Sequence, residues 1–419
     1  MLKLKILSPQ DIQNKTVLLR ADYNVPLKEK NGKIIISDDK RIQDSLETIN
    51  FLLKSNAKIV IISHLGRPAG KAKKELSLKP IAKHLASLLK KSVKFIDDCI
   101  GDEVESQIKA AQNGEILLLE NLRFYPEEKK NNQQFAKQLA KLADIYVNEA
   151  FSTSHRSHAS FVAVTKYLPS YPGFVLKKEV EALSSLMTQP RRPFIIVIGG
   201  AKISDKVAAI EHLAKIADAV LVGGGVANNF LKAEGFDISK SYLQDAPADL
   251  KKQGVDYVEI AEELIEDTKQ ERLLKDNYIP LPKIIYPTDV LAARSVNSKK
   301  IVSIDLVDDH PHKNLMYLDI GKKTIRLFKE LILQAQTIFW NGPMGVFENE
   351  LFAKGTREIA KAIAKSSATT ILGGGDTIAA IKKFKLEHRF DYVSAAGGSA
   401  LEFLSGKMLP GIKPLIKKL

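Results

Sequence analysis

Short apolar runs that stop abruptly at polar residues or glycine, each followed by a stretch with helical spacing, recur along this chain of 419 residues. A near-continuous apolar strand needs cover on both faces, and alternation with helices supplies it, so the pattern specifies parallel sheets with helices on both sides. In the first half it predicts strands over 16–21, 58–63, 93–96, 115–119 and 145–147, with helices over 41–54 and 78–90 between them. In the second half it predicts strands over 194–198, 219–222, 283–286, 337–340, 370–372 and 392–394. Residues 239–277 are charged, helical in pattern and free of a glycine motif, which reads as a peripheral segment. No period of 20 to 50 residues marks a solenoid.

A chain of this length exceeds one ordinary core and divides into two or three domains. The break falls near 169–193: Pro169, Pro172 and Gly173 interrupt the chain. A helical stretch over about 175–187 follows, and Pro190-Arg191-Arg192-Pro193 closes it. Punctuation, helix and punctuation are expected of a helix linking two domains. The N-terminus lacks the apolar stretch of a secretory leader, no apolar run approaches the ~20 residues that span a bilayer, and Cys99 stands alone. These features predict a protein of a reducing cytoplasm, without membrane association.

The net charge of +14 raises the possibility of nucleic-acid binding, but the surplus is scattered Lys without interleaved aromatic residues and reads as solvated surface. Arginine is distributed differently. The chain has 51 Lys and 12 Arg, and only Arg20, Arg41, Arg67, Arg123 and Arg156 precede Arg191. Where Lys is the default surface cation, a retained planar guanidinium suits two-bond recognition of phosphate or carboxylate. Arg20 is the one best explained by a structural ion pair.

In open parallel sheets, ligands bind at the carboxyl ends of the strands. In the first half those ends carry Asp22 and Asn24, then Ser63-His64-Leu65-Gly66-Arg67, then Glu120-Asn121-Leu122-Arg123, then the 148–158 segment with Arg156, while Arg41 starts a helix. Together they predict a basic bowl for a small polyanion. In the second half they carry Gly199-Gly200-Ala201-Lys202, Gly223-Gly224-Gly225, Asn341-Gly342-Pro343, Gly373-Gly374-Gly375-Asp376-Thr377 and Gly397-Gly398-Ser399. Glycine lets a phosphate approach backbone N–H groups, and a following helix adds its positive end. Helices are expected over 377–384 and 399–404, the second with Ser399 and Glu402 as a capping box. One such turn is an ordinary tight turn; five in one half point to nucleotide phosphates.

Other phosphate and hydrolase motifs fail on spacing. No GxxxxGK[ST] occurs, the 223–228 segment lacks the third glycine of a dinucleotide fingerprint, and no GxSxG elbow is present. His64, His155 and His158 do not form a recognisable zinc set, so anion contact or structural hydrogen bonding is the better reading.

These motifs resemble phosphoglycerate kinase over almost the whole chain. LRADYNVP (19–26), ISHLGRP (62–68), ENLRFYPEE (120–128), NEAFSTSHRSHAS (148–160), GGAKISDK (199–206), LDIG (318–321), WNGPMGVFE (340–348), GGGDT (373–377) and LSGKMLPG (404–411) follow in the family's order. The resemblance implies two Rossmann-like domains: 1–172 for phosphoglycerate, a linking hinge helix over 173–190, and 191–404 for nucleotide. A tail of about 405–419 would pack back on the first domain. It also implies a cytoplasmic glycolytic monomer that exchanges a phosphoryl group between 1,3-bisphosphoglycerate and ADP, giving 3-phosphoglycerate and ATP, with Mg²⁺. Carried over by position, Asp22, Asn24, Arg41, His64, Leu65, Gly66, Arg67, Arg123 and Arg156 would hold phosphoglycerate. Gly200, Ala201, Lys202, Lys206, Gly225, Gly321, Asn341, Pro343, Glu348, Gly374, Gly375, Asp376 and Thr377 would line the nucleotide site, with Asp376 nearest the metal. Arg41, Lys202, Gly374 and Gly375 would contact the transferring group. The sequence departs from the family pattern at Ala395-Ala396, where Thr-Gly is usual, at Lys322, where Pro is common, and at Val226, where Met is usual.

Overall fold

The structure is a computed structural model that describes all residues except 1, 31–32, 252, 269–271, 275–276, 307–313 and 418–419. It separates into two compact units, Met1–Glu181 with Met408–Leu419, and Ala182–Lys407. The division falls inside one helix, Phe174–Thr188, which the sequence places over 175–187.

The first unit is built on six strands: β1 (Thr16–Arg20), β2 (Lys58–Ile62), β3 (Val93–Ile96), β4 (Ile116–Leu119), β5 (Ile145–Asn148) and β6 (Ser170–Pro172). They lie parallel in the order β3-β4-β2-β1-β5-β6. Successive residues of a strand face opposite sides, and the core divides accordingly. Val17, Leu19, Ile59, Ile61, Ile116 and Leu118 pack on one face, with Ile42, Ile49 and Leu52 of the Lys40–Lys54 helix. Leu18, Val60, Ile62, Leu117 and Leu119 pack on the other, with Val104, Phe135 and Leu139. Each such buried side chain contributes about 1.5–3 kcal/mol, which is why these strands read as continuous apolar runs. The C-terminal segment belongs to this unit: Asn148 Nδ2 donates to the Gly411 carbonyl at 3.1 Å, and Gly411 N–H donates to the Ser154 carbonyl at 2.8 Å.

The second unit has strands β7 (Phe194–Ile198), β8 (Ala219–Val222), β9 (Ile284–Ile285), β10 (Thr337–Asn341), β11 (Thr369–Gly373) and β12 (Tyr392–Ser394), parallel in the order β9-β8-β7-β10-β11-β12. Strand order reverses between β7 and β10, and between β1 and β5 in the first unit, so each sheet has a switch point where a ligand crevice opens. Alongside the second sheet runs an antiparallel one of Asp289–Ala293, Val302–Asp305 and Met316–Ile320. The sequence pattern does not anticipate this sheet. The 239–277 segment is also only partly helical: it holds Ala248–Lys251 and Tyr257–Asp267, then the strand Arg272–Leu274, and its positions 252, 269–271 and 275–276 lie outside the described residues.

One local expectation fails. The last helix is Gly398–Leu404 with Gly397 as its N-cap and no side-chain cap, so Ser399 lies inside the first turn and the Ser399–Glu402 capping box does not form. The family departure at Lys322 has a simple local setting: Lys322 is the first residue of the Lys322–Gln334 helix, a position that accepts either Pro or Lys.

Candidate functional site

In the first unit the loops that leave β1, β2, β4 and β5 are tied together through their own polar groups. Asp22 Oδ2 accepts from Arg41 Nη1 at 2.9 Å and from the Ser152 hydroxyl, and Asp22 Oδ1 accepts the Asn24 N–H at 3.2 Å. Asn24 Oδ1 accepts the Gly66 N–H at 2.9 Å, while the Gly66 carbonyl accepts from Arg123 Nη1 at 2.7 Å. Asn121 Oδ1 accepts the N–H groups of Leu65 and Arg123 at 3.2 and 3.1 Å, and its Nδ2 donates to the carbonyls of Leu65 and Leu76. Leu65 therefore has both backbone groups committed to Asn121 and shapes the loop from within. Arg67 is exposed.

Positive charge is concentrated here beyond what Asp22 balances. His64 is 1% exposed, and burial followed by the fields of Arg20, Arg123, Arg156 and Arg41 holds its imidazole well below the usual range. His64 is thus neutral, and its tautomer follows from its neighbour. Arg20 Nη2 lies 3.1 Å from His64 Nδ1 and can only donate, so Nδ1 accepts and Nε2 carries the hydrogen. Arg20 does not form the ion pair expected of it. It stacks over Phe161 at 4.4 Å and donates to the Ser160 hydroxyl and the Ala21 carbonyl, with Glu128 balancing its charge through Ser160. Arg123 is lowered to about 10 by burial, with Arg156 and Arg20 adding to the effect, and its Nε is a buried donor without a partner. Crowded guanidiniums around a neutral imidazole, with one donor unspent, have the electrostatics of an anion site.

In the second unit the switch point is made of backbone. The Gly199 N–H donates to the Asn341 carbonyl at 2.9 Å and the Gly200 N–H to the Pro343 carbonyl at 2.7 Å. Gly342 has φ of +94°, and a Cβ there would stand 2.2 Å from the Gly199 carbonyl oxygen, so only glycine lets these two turns meet. The Thr377 hydroxyl accepts the Gly342 N–H at 2.6 Å, which joins the turn after β10 to the helix Gly375–Lys383. Asn341 Nδ2 is buried without a partner and lies 3.0 Å from where a Gly374 Cβ would be, so a side-chain donor is aimed at the glycine turn.

A cavity opens beside these turns. Gly200, Ala201, Gly225, Pro343, Glu348 and Asp376, which the resemblance assigns to a nucleotide site, line it. Lys202, Lys206, Gly321, Asn341, Gly374, Gly375 and Thr377 are not part of its wall. Lys202 is exposed, whereas Lys206 is buried behind Gly200, its ammonium lowered by burial and supported by Asp205 and Asp376. Gly321 packs on Asp289: a Cβ there would stand 2.2 Å from the carboxylate, which accepts the N–H groups of Lys323 and Thr324. Much of the rest of the wall is apolar, with Leu231, Tyr242, Val290, Val296, Met316 and Phe347, interrupted by Asn228 and Asp319. Apart from Phe347, which stands in the 340–348 segment, no motif marks these residues, and Val290 and Met316 come from the antiparallel sheet. Ser152 and Asn121 were also missed as organisers, although both stand inside motif segments.

Asp376 lies in the first turn of its helix and faces the cavity. Among the described residues no cluster of three or more His, Cys, Asp or Glu side chains could hold a metal ion by itself. A single carboxylate fits a divalent ion that arrives with phosphate oxygens. Among the described residues no helix is long and apolar enough to cross a membrane.

Comparison with known proteins shows that the chain belongs to the phosphoglycerate kinase family. Residues 7–407 match the family described as Phosphoglycerate kinase. A phosphoglycerate kinase of Dictyoglomus turgidum is 44% identical over 413 residues, 98% of each chain. The solved structure of phosphoglycerate kinase from Coxiella burnetii superposes with a TM-score of 0.82 at 40% identity, covering 96% of both chains. That from Pyrococcus horikoshii OT3 gives 0.78 at 37% identity, covering 98% of both.

Proposed function

Starting from its membership of the phosphoglycerate kinase family, which makes the chain a glycolytic phosphotransferase with a carboxyl group as acceptor, we propose how its residues divide the reaction. The first unit binds 3-phosphoglycerate or 1,3-bisphosphoglycerate through Arg41, His64, Arg123 and Arg156, with Arg67 free to join them from its exposed position. Asp22, Asn24 and Gly66 hold those groups in place. The second unit binds ADP or ATP, its glycine turns at Gly200, Gly225 and Gly374 to Thr377 receiving phosphates and its apolar wall receiving the base. The single observation that carries this division is the crowd of guanidiniums around neutral His64, with the Arg123 Nε donor unspent.

The acceptor in the ATP-consuming direction is a carboxylate with an ordinary pKa of about 3.5, already ionised at neutral pH, so no general base is needed. The protein's part is positioning and neutralisation of charge as the phosphoryl group passes in line. Arg41 approaches from one side and Lys202 from the other, with the Gly374 and Gly375 N–H groups stabilising the transferring oxygens. His64, neutral with its hydrogen on Nε2, donates a hydrogen bond without adding a fifth charge to the arginine set. Mg²⁺ would be held by Asp376 together with the nucleotide phosphates and would supply further charge neutralisation. Donor and acceptor on separate domains must be brought to about 3 Å, so closure of the domains completes the site and excludes water. The enzyme works as a monomer in the cytoplasm.

A coupled assay with 3-phosphoglycerate and MgATP tests the activity. Wild type turns over, and Arg123→Met raises the KM for 3-phosphoglycerate while that for MgATP stays within twofold. Loss of nucleotide affinity instead would overturn the division of labour.

A further inference from the structure

Glu149 lies outside the polar bowl, yet it is the second residue of the segment that carries Ser152 and Arg156. It is 4% exposed. Its Oε1 accepts the Thr48 hydroxyl at 2.6 Å and the Val175 N–H at 3.3 Å, while Thr48 Oγ1 accepts the Phe174 N–H at 3.0 Å. The first two amides of the Phe174–Thr188 helix are therefore capped by two side chains from elsewhere in the first unit. Thr48 stands on the Lys40–Lys54 helix, seven residues and so two turns beyond Arg41. Gly173 makes room for this arrangement, since a Cβ there would stand 1.6 Å from Glu149 Oε2. The Gly173 N–H in turn donates to the Asn148 carbonyl at 2.8 Å.

A helix start needs much less than this. Ser, Thr, Asp or Asn at position 173 would cap it locally. Instead a carboxyl is buried with Oε2 unpartnered, and burial pushes it up to about 8. The nearby ionisable groups do not neutralise it: Lys178 is paired with Glu47 at 2.5 Å, and Tyr23 is a buried phenol. What the arrangement achieves is a junction. One carboxyl joins the helix that presents Arg41, the segment that presents Ser152 and Arg156, and the first turn of the helix that leads into the second unit.

We propose that Glu149, with Thr48, is a positioning residue of the phosphoglycerate half-site, holding the carriers of Arg41 and Arg156 in register on the first turn of the linking helix. This rests on the reading that phosphoglycerate binds in the first unit. The folded acid is neutral below about pH 8 and titrates above the ordinary carboxyl range, so its contribution is complete at low pH and is lost as pH rises through about 8. Loosening of the junction then appears as weaker phosphoglycerate binding at alkaline pH.

The test is steady-state kinetics of the full chain from pH 6 to 9.5, varying 3-phosphoglycerate and MgATP separately, alongside calorimetric binding of 3-phosphoglycerate and thermal melting. Glu149→Ala and Thr48→Val are expected to raise the KM for 3-phosphoglycerate about tenfold, a shift worth ~1.4 kcal/mol, with the MgATP KM within twofold. Glu149→Gln, which keeps the shape and the acceptor oxygen, restores the phosphoglycerate KM at pH 7 and loses its rise above pH 8. A lowered melting temperature with both KM values unchanged would reduce Glu149 to a structural cap and overturn the proposal. An alkaline rise in Glu149→Gln equal to that of wild type would overturn it too. If Glu149→Ala does not fold, Thr48→Val and Glu149→Gln still decide. Arg41→Ala and Arg156→Ala serve as the separate check: an unchanged phosphoglycerate KM in both would sink the underlying reading whatever Glu149 does.

Discussion

At its strand ends the first unit presents polar and cationic side chains, and the second presents glycine backbone. Where β1, β2, β4 and β5 end, Asp22, Asn24 and Asn121 take up arginines and loop amides in a lattice of hydrogen bonds. Where β7 and β10 end, glycine turns pack against each other and are stitched by their own carbonyls. The difference follows from the material. A guanidinium on a flexible stem must be held before it can preorganise a site, so it needs partners. A backbone N–H is already rigid, and it needs only that no Cβ stand in the way. The first solution accumulates buried, mutually repelling charge, visible in Arg123 and His64, which burial first and neighbouring arginines second hold below their ordinary values. The second accumulates backbone conformations that only glycine adopts cheaply, as at Gly342 and Gly374.

The largest expected effect breaks both halves of the comparison. Arg41→Ala and Lys202→Ala should each lower kcat by about 10²–10³-fold, the scale for removing one preorganised contact to the transferring group. Near-normal turnover in either would leave that half-site with a binding role only. Next comes Gly342→Ala, which should cost about 2–4 kcal/mol in a denaturant titration, because a Cβ meets the Gly199 carbonyl on a left-handed backbone. Arg123→Met should be neutral or stabilising in the same titration, since it removes a charge that is buried and crowded by Arg156 and Arg20. Equal destabilisation by the two would erase the distinction between them.

A smaller effect concerns a buried acid in the second unit. Asp319 accepts the Gly355 and Ile320 N–H groups at 2.7 and 3.0 Å, and burial pushes it up to about 8. Its folded pKa lies above the unfolded value of 3.8, so its contribution is complete below the latter and is lost as pH rises through the former. Wild type should lose about 1 kcal/mol between pH 7 and 9 from this group, and Asp319→Asn should flatten that slope in pH-dependent unfolding. An identical slope in the variant would remove Asp319 as its source. The smallest effect is ionic: raising KCl from 50 to 300 mM should increase the KM for 3-phosphoglycerate two- to threefold more than that for MgATP. Equal dependence would mean that exposed cations steer both ligands alike.

Much of this was legible in the chain. The core strands β1 to β5, β7, β8 and β10 to β12 fall within a residue or so of their apolar runs, because a strand covered on both faces must be apolar at every position. The polar and glycine-rich strand ends were legible for the same topological reason. Other features were not. Asp289–Ala293, Val302–Asp305 and Met316–Ile320 carry polar residues and partly exposed positions, so no continuous apolar run marks them as strands, and much of the apolar cavity wall went unseen with them. Ser399 looked like a cap until the helix began one residue earlier.

Glu149 and Asp319 mark the limit most sharply: both stand in motif segments, yet nothing in the sequence shows that either acid is buried. The repeated β–α order, the family and the residue types at each strand end are all written in the chain. What tertiary structure decided was which of those groups are desolvated, which are spent on one another and which remain available. Burial and hydrogen bonding depend on neighbours that can lie more than a hundred residues away, as Thr48 does from Glu149, and no local pattern encodes them.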